Sequence, residues 1–294
     1  MRGFLRKMSS AVPEGGCRPD HPVEYFLRLN DDAHPMNAWI GATLSLTFTG
    51  RIDCIECGRT TKKSFSQGYC YPCFKRLAQC DLCIVSPERC HFDQGTCRDT
   101  NFAEDVCMQS HIVYLANTSG LKVGITRPGN LPTRWIDQGA VQALPIMKVM
   151  SRQQSGFVEV AFKQHVSDKT QWQRMLKAEH PEIDLAAARV DLMANAWANL
   201  DPVKHRFGAK AIQSILNADV QNLVYPVARY PEKVVSLNFD KTPAITGTLQ
   251  GIKGQYLILD NGVINLRRFG GYEIEVGVTE PDADGDTREQ LNLL

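Results

Sequence analysis

The sequence lacks any long hydrophobic run. Among its 294 residues, no stretch approaches the roughly 18 consecutive apolar residues that a membrane-spanning helix needs. The basic N-terminus, MRGFLRKMSS, is not followed by an apolar segment of secretory length either. We therefore expect a protein that is neither embedded in a membrane nor exported, and we place it in the cytoplasm.

The sequence also has little net charge, +1 from 33 basic and 32 acidic residues. Such a balance excludes a uniformly basic protein that coats nucleic acid. Local charge is uneven, however, because residues 51–79 contain six basic and two acidic residues, and residues 122–152 contain five and one. Each of these segments has a net charge of +4. Each could bind a phosphate backbone of DNA or RNA, or could be an ordinary solvated face.

Cysteine, in contrast, is abundant and clustered, since eight of the ten cysteines lie within residues 54–97. In a reducing compartment, dense cysteine pairs indicate metal ligands rather than disulfides. Two Cys-x-x-Cys pairs, twelve residues apart, have the layout of a zinc ribbon, in which four thiolates surround one Zn²⁺. We call them the first cysteine set: Cys54, Cys57, Cys70 and Cys73. Closed sites of this kind usually stabilise a fold and do no chemistry.

A second cysteine set follows directly and is less regular: Cys80, Cys83, Cys90 and Cys97. We predict that it holds a second structural zinc ion. Three nearby residues could replace one of its members, namely His91, Cys107 and His111. An iron–sulfur cluster could also use four cysteines, but the spacing does not resemble that of a ferredoxin, so zinc is preferred. Cys17 is isolated and is expected to be no ligand.

Hydrophobic periodicity divides the rest of the chain. VEYFLRL and TLSLTFTGRI alternate apolar and polar residues, as half-buried strands do. HIVYLA and LKVGIT are β-branched runs joined by NTSG, which predicts a hairpin. After this hairpin, apolar residues recur with the spacing of amphipathic helices. The predicted helices run through KAIQSIL to about residue 217. QYLILDNGVINL predicts a second hairpin, with a turn at Asn261-Gly262.

The first hairpin and the helical segment after it carry residues suited to chemistry. The triplets IVY at 112–114 and KVG at 122–124 are followed by Arg134 and then by the segment SRQQSGFVEVAFKQHV, which contains Glu159. This order resembles the core of the GIY-YIG endonucleases, whose two strands carry Gly-Ile-Tyr-like and Tyr-Ile-Gly-like triplets ahead of a helical arginine and a metal-binding glutamate. The resemblance covers about one fifth of the chain, residues 111–168.

The resemblance implies an enzyme that cleaves phosphodiester bonds with Mg²⁺ or Mn²⁺ held by Glu159, and a hard cation does prefer carboxylate oxygen. It implies that Tyr114 aligns or activates water and that Arg134 binds the phosphate and the charge that develops there. Lys122 stands in place of the family's second tyrosine and could neutralise phosphate. Gln138 stands where a histidine often follows the arginine.

Each of these residues also has a purely structural interpretation. Tyr114 could be a strand residue that only packs, and Arg134 a surface cation beside Trp135. Glu159 could be a solvated helix residue paired with Lys163 at i+4.

The whole chain resembles a bacterial family defined by a domain of unknown function. The stretches that carry this resemblance are CIECGRTTKKSFSQGYCYPCF, GLKVGITR, PTRWIDQGA and GIKGQYLILDNGVINLR. This resemblance implies membership of that family and does not assign an activity.

Together these observations predict a multidomain α+β protein with an N-terminal β and zinc-ribbon region, a GIY-YIG-like αβ module and a small C-terminal β module. The expected domains are a lead-in and strand pair (1–53), a double zinc-binding region (54–109), the αβ module (110–220), the β module (221–278) and an acidic tail (279–294). The leading hypothesis is a zinc-stabilised nucleic-acid processing enzyme. The alternatives are a non-catalytic DNA- or RNA-binding protein with a degenerate site, and a protein-interaction scaffold.

Overall fold

The computed structural model describes residues 1–167 and 169–280, which form a mixed α/β protein with three sheets and seven α-helices. The strands are β1 Arg2–Phe4, β2 Ser9–Ala11, β3 Glu24–Leu29, β4 Asp32–Pro35, β5 Thr43–Ile52, β6 His111–Asn117, β7 Leu121–Thr126, β8 Gln142–Val149, β9 Ile212–Ser214, β10 Gln221–Asn222, β11 Ala244–Lys253, β12 Tyr256–Leu259, β13 Gly262–Asn265 and β14 Tyr272–Thr279. The helices are α1 Tyr71–Arg76, α2 Thr100–Phe102, α3 Thr133–Asp137, α4 Arg152–Phe162, α5 Trp172–Leu176, α6 Leu185–Ala196 and α7 Asp201–Phe207.

The described chain divides into two compact units. The first unit combines Met1–Phe74, the short piece Leu176–Ala178 and the described residues from Val224 onward. The second combines Lys75–Met175 and Glu179–Leu223. The five domain limits expected from the sequence stay a prediction, and most of the expected acidic tail, residues 281–294, lies outside the described residues.

The first unit is built on a six-stranded antiparallel sheet with the order β1-β14-β5-β11-β12-β13. Strands from both ends of the chain share it, and Leu46 of β5 lies opposite Val276 of β14. Leu44 and Leu46 of β5 are buried while Ser45 and Thr47 are exposed, as the two-residue period of TLSLTFTGRI predicts. The β3 segment VEYFLRL forms a separate three-stranded sheet with β2 and β4.

The second unit contains a five-stranded antiparallel sheet with the order β10-β8-β6-β7, and β9 also pairs with β8. The expected hairpin of β6 and β7 is confirmed, with the turn closed by a hydrogen bond from the Thr118 N–H to the Gly120 carbonyl at 3.3 Å. All seven residues of β6 are buried because it is flanked by strands on both sides and its two faces are covered. The hairpin of β12 and β13 in the first unit is confirmed as well.

Helices α4 and α6 bury their apolar side chains against the sheet of the second unit. Val158 and Phe162 of α4 share a core with Val113 and Leu115 of β6. Burying side chains of this size stabilises the fold by about 1.5–3 kcal/mol each. Helix α4 begins after Ser151, whose side chain accepts a hydrogen bond from the Gln154 N–H, as expected of a helix N-cap.

The helical interpretation of KAIQSIL is wrong. Residues Ile212–Ser214 form β9, which pairs with β8 so that Ser214 lies opposite Met147. A run this short fits either period, and the open edge of β8 provides hydrogen-bond partners that an isolated turn of helix lacks.

The start of α4 is held against the loop that contains the second cysteine set. The Arg152 guanidinium donates a hydrogen bond to the Ile84 carbonyl, and the Gln153 side chain donates one to the Cys90 carbonyl at 3.0 Å. A Cβ atom at Gly156 would come within 2.5 Å of the Glu88 backbone nitrogen. The glycine is therefore required for the close approach of helix and loop.

No helix in the described ranges 1–167 and 169–280 has the length and apolarity needed to cross a bilayer.

We predict that Gly156→Ala destabilises the protein. The new methyl group would overlap the Glu88 backbone, which cannot move away cheaply, at a cost of about 1–3 kcal/mol. This exceeds the roughly 1 kcal/mol gained from the better helix propensity of alanine. Gly129→Ala is a matched control, because a Cβ there meets nothing within 4 Å. The midpoint of urea unfolding should fall for the first variant only, and equal midpoints would contradict the close packing.

Candidate functional site

The four thiols of the first cysteine set come together. The sulfur atoms of Cys54, Cys57, Cys70 and Cys73 all lie within 4.8 Å of one another. The Cys57 and Cys70 sulfurs are 3.7 Å apart. Four sulfurs placed tetrahedrally about 2.3 Å from one Zn²⁺ would be about 3.8 Å apart, so the cluster could bind a structural zinc ion.

Two local structures place these thiols. Cys54 follows the end of β5 and accepts on its carbonyl a hydrogen bond from the Gly58 N–H at 3.0 Å. Gly58 has a φ of 69°, a conformation that glycine adopts without a steric penalty. The other pair lies at the start of α1, where Cys70 accepts on its carbonyl a hydrogen bond from the Phe74 N–H and Cys73 is buried.

The thiols differ sharply in acidity. Burial works to raise the pKa of Cys54, but backbone N–H donors from Cys57, Cys70 and Glu56 outweigh it and lower the pKa to about 6. Burial raises the pKa of Cys73 to about 12, and the three neighbouring thiols add to this effect. Cys54 therefore ionises readily while Cys73 resists ionisation, and a bound cation would favour the thiolate form of the set.

The second cysteine set is only partly brought together around one cavity. Cys83, Cys90 and Cys97 line a small cavity in the second unit, and Cys107 completes its cysteine lining. Cys80, which ends the turn Ala78–Cys80, is not among the described residues that line the cavity. Of the possible substitutes weighed from the sequence, Cys107 is thus the one that faces this cavity.

A different group of three lies beside the cavity. Ligand atoms of Asp81, Cys83 and His91 are within 4.8 Å of one another. The Asp81 carboxylate, however, already forms an ion pair with the Arg98 Nε at 2.6 Å, and His91 Nε2 lies 3.6 Å from the same oxygen. His91 Nδ1 is 2.8 Å from the Thr96 hydroxyl. Hydrogen bonds and an ion pair are therefore enough to explain why Asp81, Cys83 and His91 lie close together, without a metal.

Tyr114 is fully buried on β6. Its ring lies over Gly124, the opposite residue on β7, where a Cβ would come within 2.6 Å of the phenol oxygen. The Tyr114 hydroxyl donates a hydrogen bond to the Gln138 side chain at 2.8 Å, and the Trp135 ring contacts the Tyr114 ring edge-on with centroids 6.0 Å apart. The glycine of the KVG triplet is therefore what lets the tyrosine of the IVY triplet lie flat against the sheet.

Arg134 and Glu159 both act on this hydroxyl. Burial raises the pKa of Tyr114. Arg134, on α3, opposes the rise through its charge and a hydrogen bond, while the charge of Glu159, on α4, adds to it. Tyr114, Arg134 and Glu159, which are far apart in sequence, thus lie within electrostatic reach of one another.

Lys122, the fourth residue singled out by the resemblance, is bonded elsewhere. Its side chain is buried, and its Nζ atom donates to the Thr170 hydroxyl at 3.3 Å. It lies on β7 opposite Ala116 and two residues before Gly124.

Two further arginines around this site, Arg127 and Arg152, did not stand out individually in the sequence. Burial lowers the pKa of Arg152, and the charges of Arg134 and Glu159 act on its guanidinium in opposite directions. Burial, together with the charges of Arg152 and Arg127, lowers the pKa of His111 to about 4. Arg127 and Arg152 both fall in the basic segment 122–152, and that local excess of charge was the only sequence signal for them.

Comparison with known families adds one match. A family model described as a protein of unknown function, DUF2797, matches residues 41–274, about four fifths of the chain. The chain belongs to the DUF2797 family. No significant match links this DUF2797 protein to a curated protein or to a solved structure. The matched region begins just before β5 and ends within β14, so it includes the first cysteine set and the Tyr114 region.

We predict that the purified protein contains a zinc ion that depends on the first cysteine set. Cys70→Ser should release it, because one of four thiolates is lost, and should unfold the region around α1. Structural zinc contributes roughly 10 kcal/mol or more to the folding of small zinc domains. Zinc per chain is measured by mass spectrometry, and unfolding by limited proteolysis. Cys17→Ser is the matched control in the same unit and should keep the ion. Equal zinc contents in the two variants would refute the site.

We also predict that His111 makes the protein less stable in mild acid. Its pKa is lowered from 6.5 to about 4 in the folded state, so the unfolded chain binds the proton more tightly. The contribution of His111 to the free energy of unfolding is fully present above pH 6.5. It is lost as the pH falls towards 4, by up to about 3 kcal/mol.

The test compares the free energy of unfolding at several pH values in the wild type and in His111→Gln. In His111→Gln, the free energy of unfolding should depend less steeply on pH between 6.5 and 4 than it does in the wild type. His205→Gln, at an exposed position on α7, should keep the wild-type slope. A wild-type slope that survives in His111→Gln would show that other groups cause it.

Proposed function

We propose that this DUF2797 protein is a metal-stabilised, nucleic-acid processing protein that cleaves phosphodiester bonds with a divalent ion. What supports the proposal is the meeting of three residues that the GIY-YIG resemblance selects: Tyr114, Arg134 and Glu159. They come from a strand and two different helices, and packing alone does not require a cation and an anion to act on the same buried hydroxyl.

In this proposal Glu159 holds Mg²⁺ or Mn²⁺, for which one or two protein carboxylates suffice. Arg134 binds a phosphate oxygen and stabilises the charge that grows on it during displacement. Tyr114 serves as a positioning group rather than a base, because burial raises its pKa and its hydroxyl is held by Gln138. The zinc ion of the first cysteine set is structural.

The charge around the site fits an anionic substrate. Arg127, Arg134 and Arg152 all act on buried groups of the second unit. The guanidinium of Arg152 has an Nε atom without a hydrogen-bond partner among the described residues. A group of arginines in which one guanidinium is incompletely satisfied suits a phosphate, which offers several acceptor oxygens. The other basic segment, residues 51–79, is less suited to a phosphate, since Arg51 forms an ion pair with Asp53 at 2.7 Å.

The second candidate is a protein that binds DNA or RNA without cutting it. Two observations favour it: Tyr114 has no exposed surface, and Lys122, in place of the family's second tyrosine, is bonded to Thr170. In that case the arginines bind phosphate and Glu159 only balances their charge.

The two candidates predict different outcomes for one variant. Glu159→Gln should abolish cleavage and leave nucleic-acid affinity nearly intact, because it removes the metal ligand and keeps the arginines. Arg134→Ala should weaken both, and cleavage by about 10²-fold or more. Glu182→Gln, at an exposed glutamate of the same unit, is the matched control and should cleave like the wild type.

Cleavage is measured by titrating Mg²⁺ and Mn²⁺ against single-stranded, duplex and branched DNA and RNA. Affinity is measured on the same substrates at several salt concentrations, where phosphate contacts give a log–log slope near −0.9 per contact on duplex DNA. Identical residual cleavage by wild type and Glu159→Gln would reject the enzyme and leave the binding protein. Absence of binding at about 50 mM salt would reject both.

A further inference from the structure

Three aromatic rings in the region of the first cysteine set contact one another. The Phe65 and Phe74 rings are stacked, with centroids 5.7 Å apart and an angle of 22° between the ring planes. The Tyr71 ring meets the Phe65 ring edge-on, with centroids 5.4 Å apart. Tyr71 and Phe74 come directly after Cys70 and Cys73 in the chain, so the fold of the cysteine region positions both rings. We call Phe65, Tyr71 and Phe74 the ring cluster.

The ring cluster lies at the surface rather than in a core. Tyr71 is 56% exposed, and Phe65 and Phe74 are only half-buried. Single apolar residues at a surface are ordinary, whereas a contiguous group of them marks an interaction site. The edge-on contact with Phe65 covers only part of Tyr71, so this ring keeps surface on which another flat ring could stack.

Exposed cations accompany the rings. The Lys63 Nζ atom lies 5.4 Å from the centroid of the Phe65 ring, a cation–π contact. Arg59 and Lys62 are exposed as well, and the only acidic residue within residues 54–74 is Glu56. Exposed rings beside exposed cations suit a ligand in which flat rings alternate with negative charges.

The loop that carries Phe65 is held by hydrogen bonds. The backbones of Phe65 and Tyr69 are joined in both directions by N–H···O bonds of 2.8 Å. Between them, Ser66 and Gln67 have φ angles of 44° and 68°, which are uncommon for residues other than glycine. The Gln67 side chain accepts a hydrogen bond from the Arg267 Nε atom at 2.6 Å, which ties the loop to the C-terminal part of the same unit. A surface ordered before binding loses less entropy when a ligand arrives.

We propose that the ring cluster and the cations beside it bind single-stranded nucleic acid. A base of an unpaired strand stacks on the Tyr71 ring, and the neighbouring phosphates meet the cations of residues 59–63. A duplex hides the faces of its bases and fits this surface less well. The ring cluster belongs to the first unit and Glu159 to the second, so binding here does not require the cleavage proposed above.

The first test compares affinities of full-length variants by fluorescence anisotropy, with short labelled strands of DNA and RNA and the corresponding duplexes. Tyr71→Ala should weaken single-strand binding about 10-fold or more, the usual contribution of one stacking ring, and should leave duplex binding unchanged. Tyr71→Phe keeps the ring and should bind like the wild type. Val235→Ala, which shortens another exposed apolar residue of the same unit, is the matched control. Equal single-strand affinities of Tyr71→Ala and the wild type would overturn the proposal.

The result is separate from that of the cleavage test. Glu159→Gln should bind single strands like the wild type, and adding Tyr71→Ala to it should cause the same loss of affinity. If Arg134→Ala weakens single-strand binding and Tyr71→Ala does not, the arginines of the second unit bind the strand and the ring cluster does not. If Tyr71→Ala instead converts an oligomer to a monomer and keeps its affinity, the ring cluster is an interface between copies of the chain.

A second measurement uses the wild type, because Tyr71→Ala could also disturb the neighbouring Cys70. Zinc content is measured in each variant to detect such a disturbance. Single strands that contain 5-iodouracil are bound to the wild-type protein and irradiated with near-ultraviolet light, which couples this base to an aromatic side chain stacked on it. Mass spectrometry of the digested complex should identify Tyr71 or Phe65 as the crosslinked residue. No crosslink, or crosslinks confined to other residues, would overturn the proposal whatever the variant does.

Discussion

The close approach of α4 to the cysteine loop is the contact on which the candidate site depends. Gly156 permits it, because any side chain there would strike the Glu88 backbone, and hydrogen bonds from Arg152 and Gln153 to loop carbonyls hold it in place. The same helix packs Val158 and Phe162 into the core of the second unit. Its position therefore sets where the Glu159 carboxylate and the Arg152 guanidinium lie.

Burying several charged or titratable groups together costs free energy unless their charges offset one another. In this protein Arg134 and Glu159 carry opposite charges near Tyr114, and Arg152 is placed where Glu159 favours its charged form. His111 is the exception, because the nearby arginines and its burial both favour the neutral imidazole. A cluster of this kind is hard to explain as packing, since apolar side chains of the same size would be less costly. It is also where pKa values are most often shifted for function.

Much of the local structure could be predicted from the sequence. The first cysteine set was found by spacing alone, because two Cys-x-x-Cys pairs leave few ways to surround one ion. The β6–β7 hairpin followed from its β-branched runs and the NTSG turn. The second cysteine set could not be assigned in the same way. Single cysteines six or more residues apart carry no information about which of them face one another, so Cys80 and Cys107 could not be ranked before the loop was folded.

The sequence by itself determined the elements whose signals are local: strand periodicity, turn residues and paired metal ligands, each encoded within about a dozen residues. Only the tertiary structure decided that strands from both ends of the chain share one six-stranded sheet, that KAIQSIL adds a strand to β8, and that Tyr114, Arg134 and Glu159 act on one another. The physical reason is that pairing of distant segments depends on which sheet edges and helix faces remain open once the rest has packed. Local sequence does not specify that.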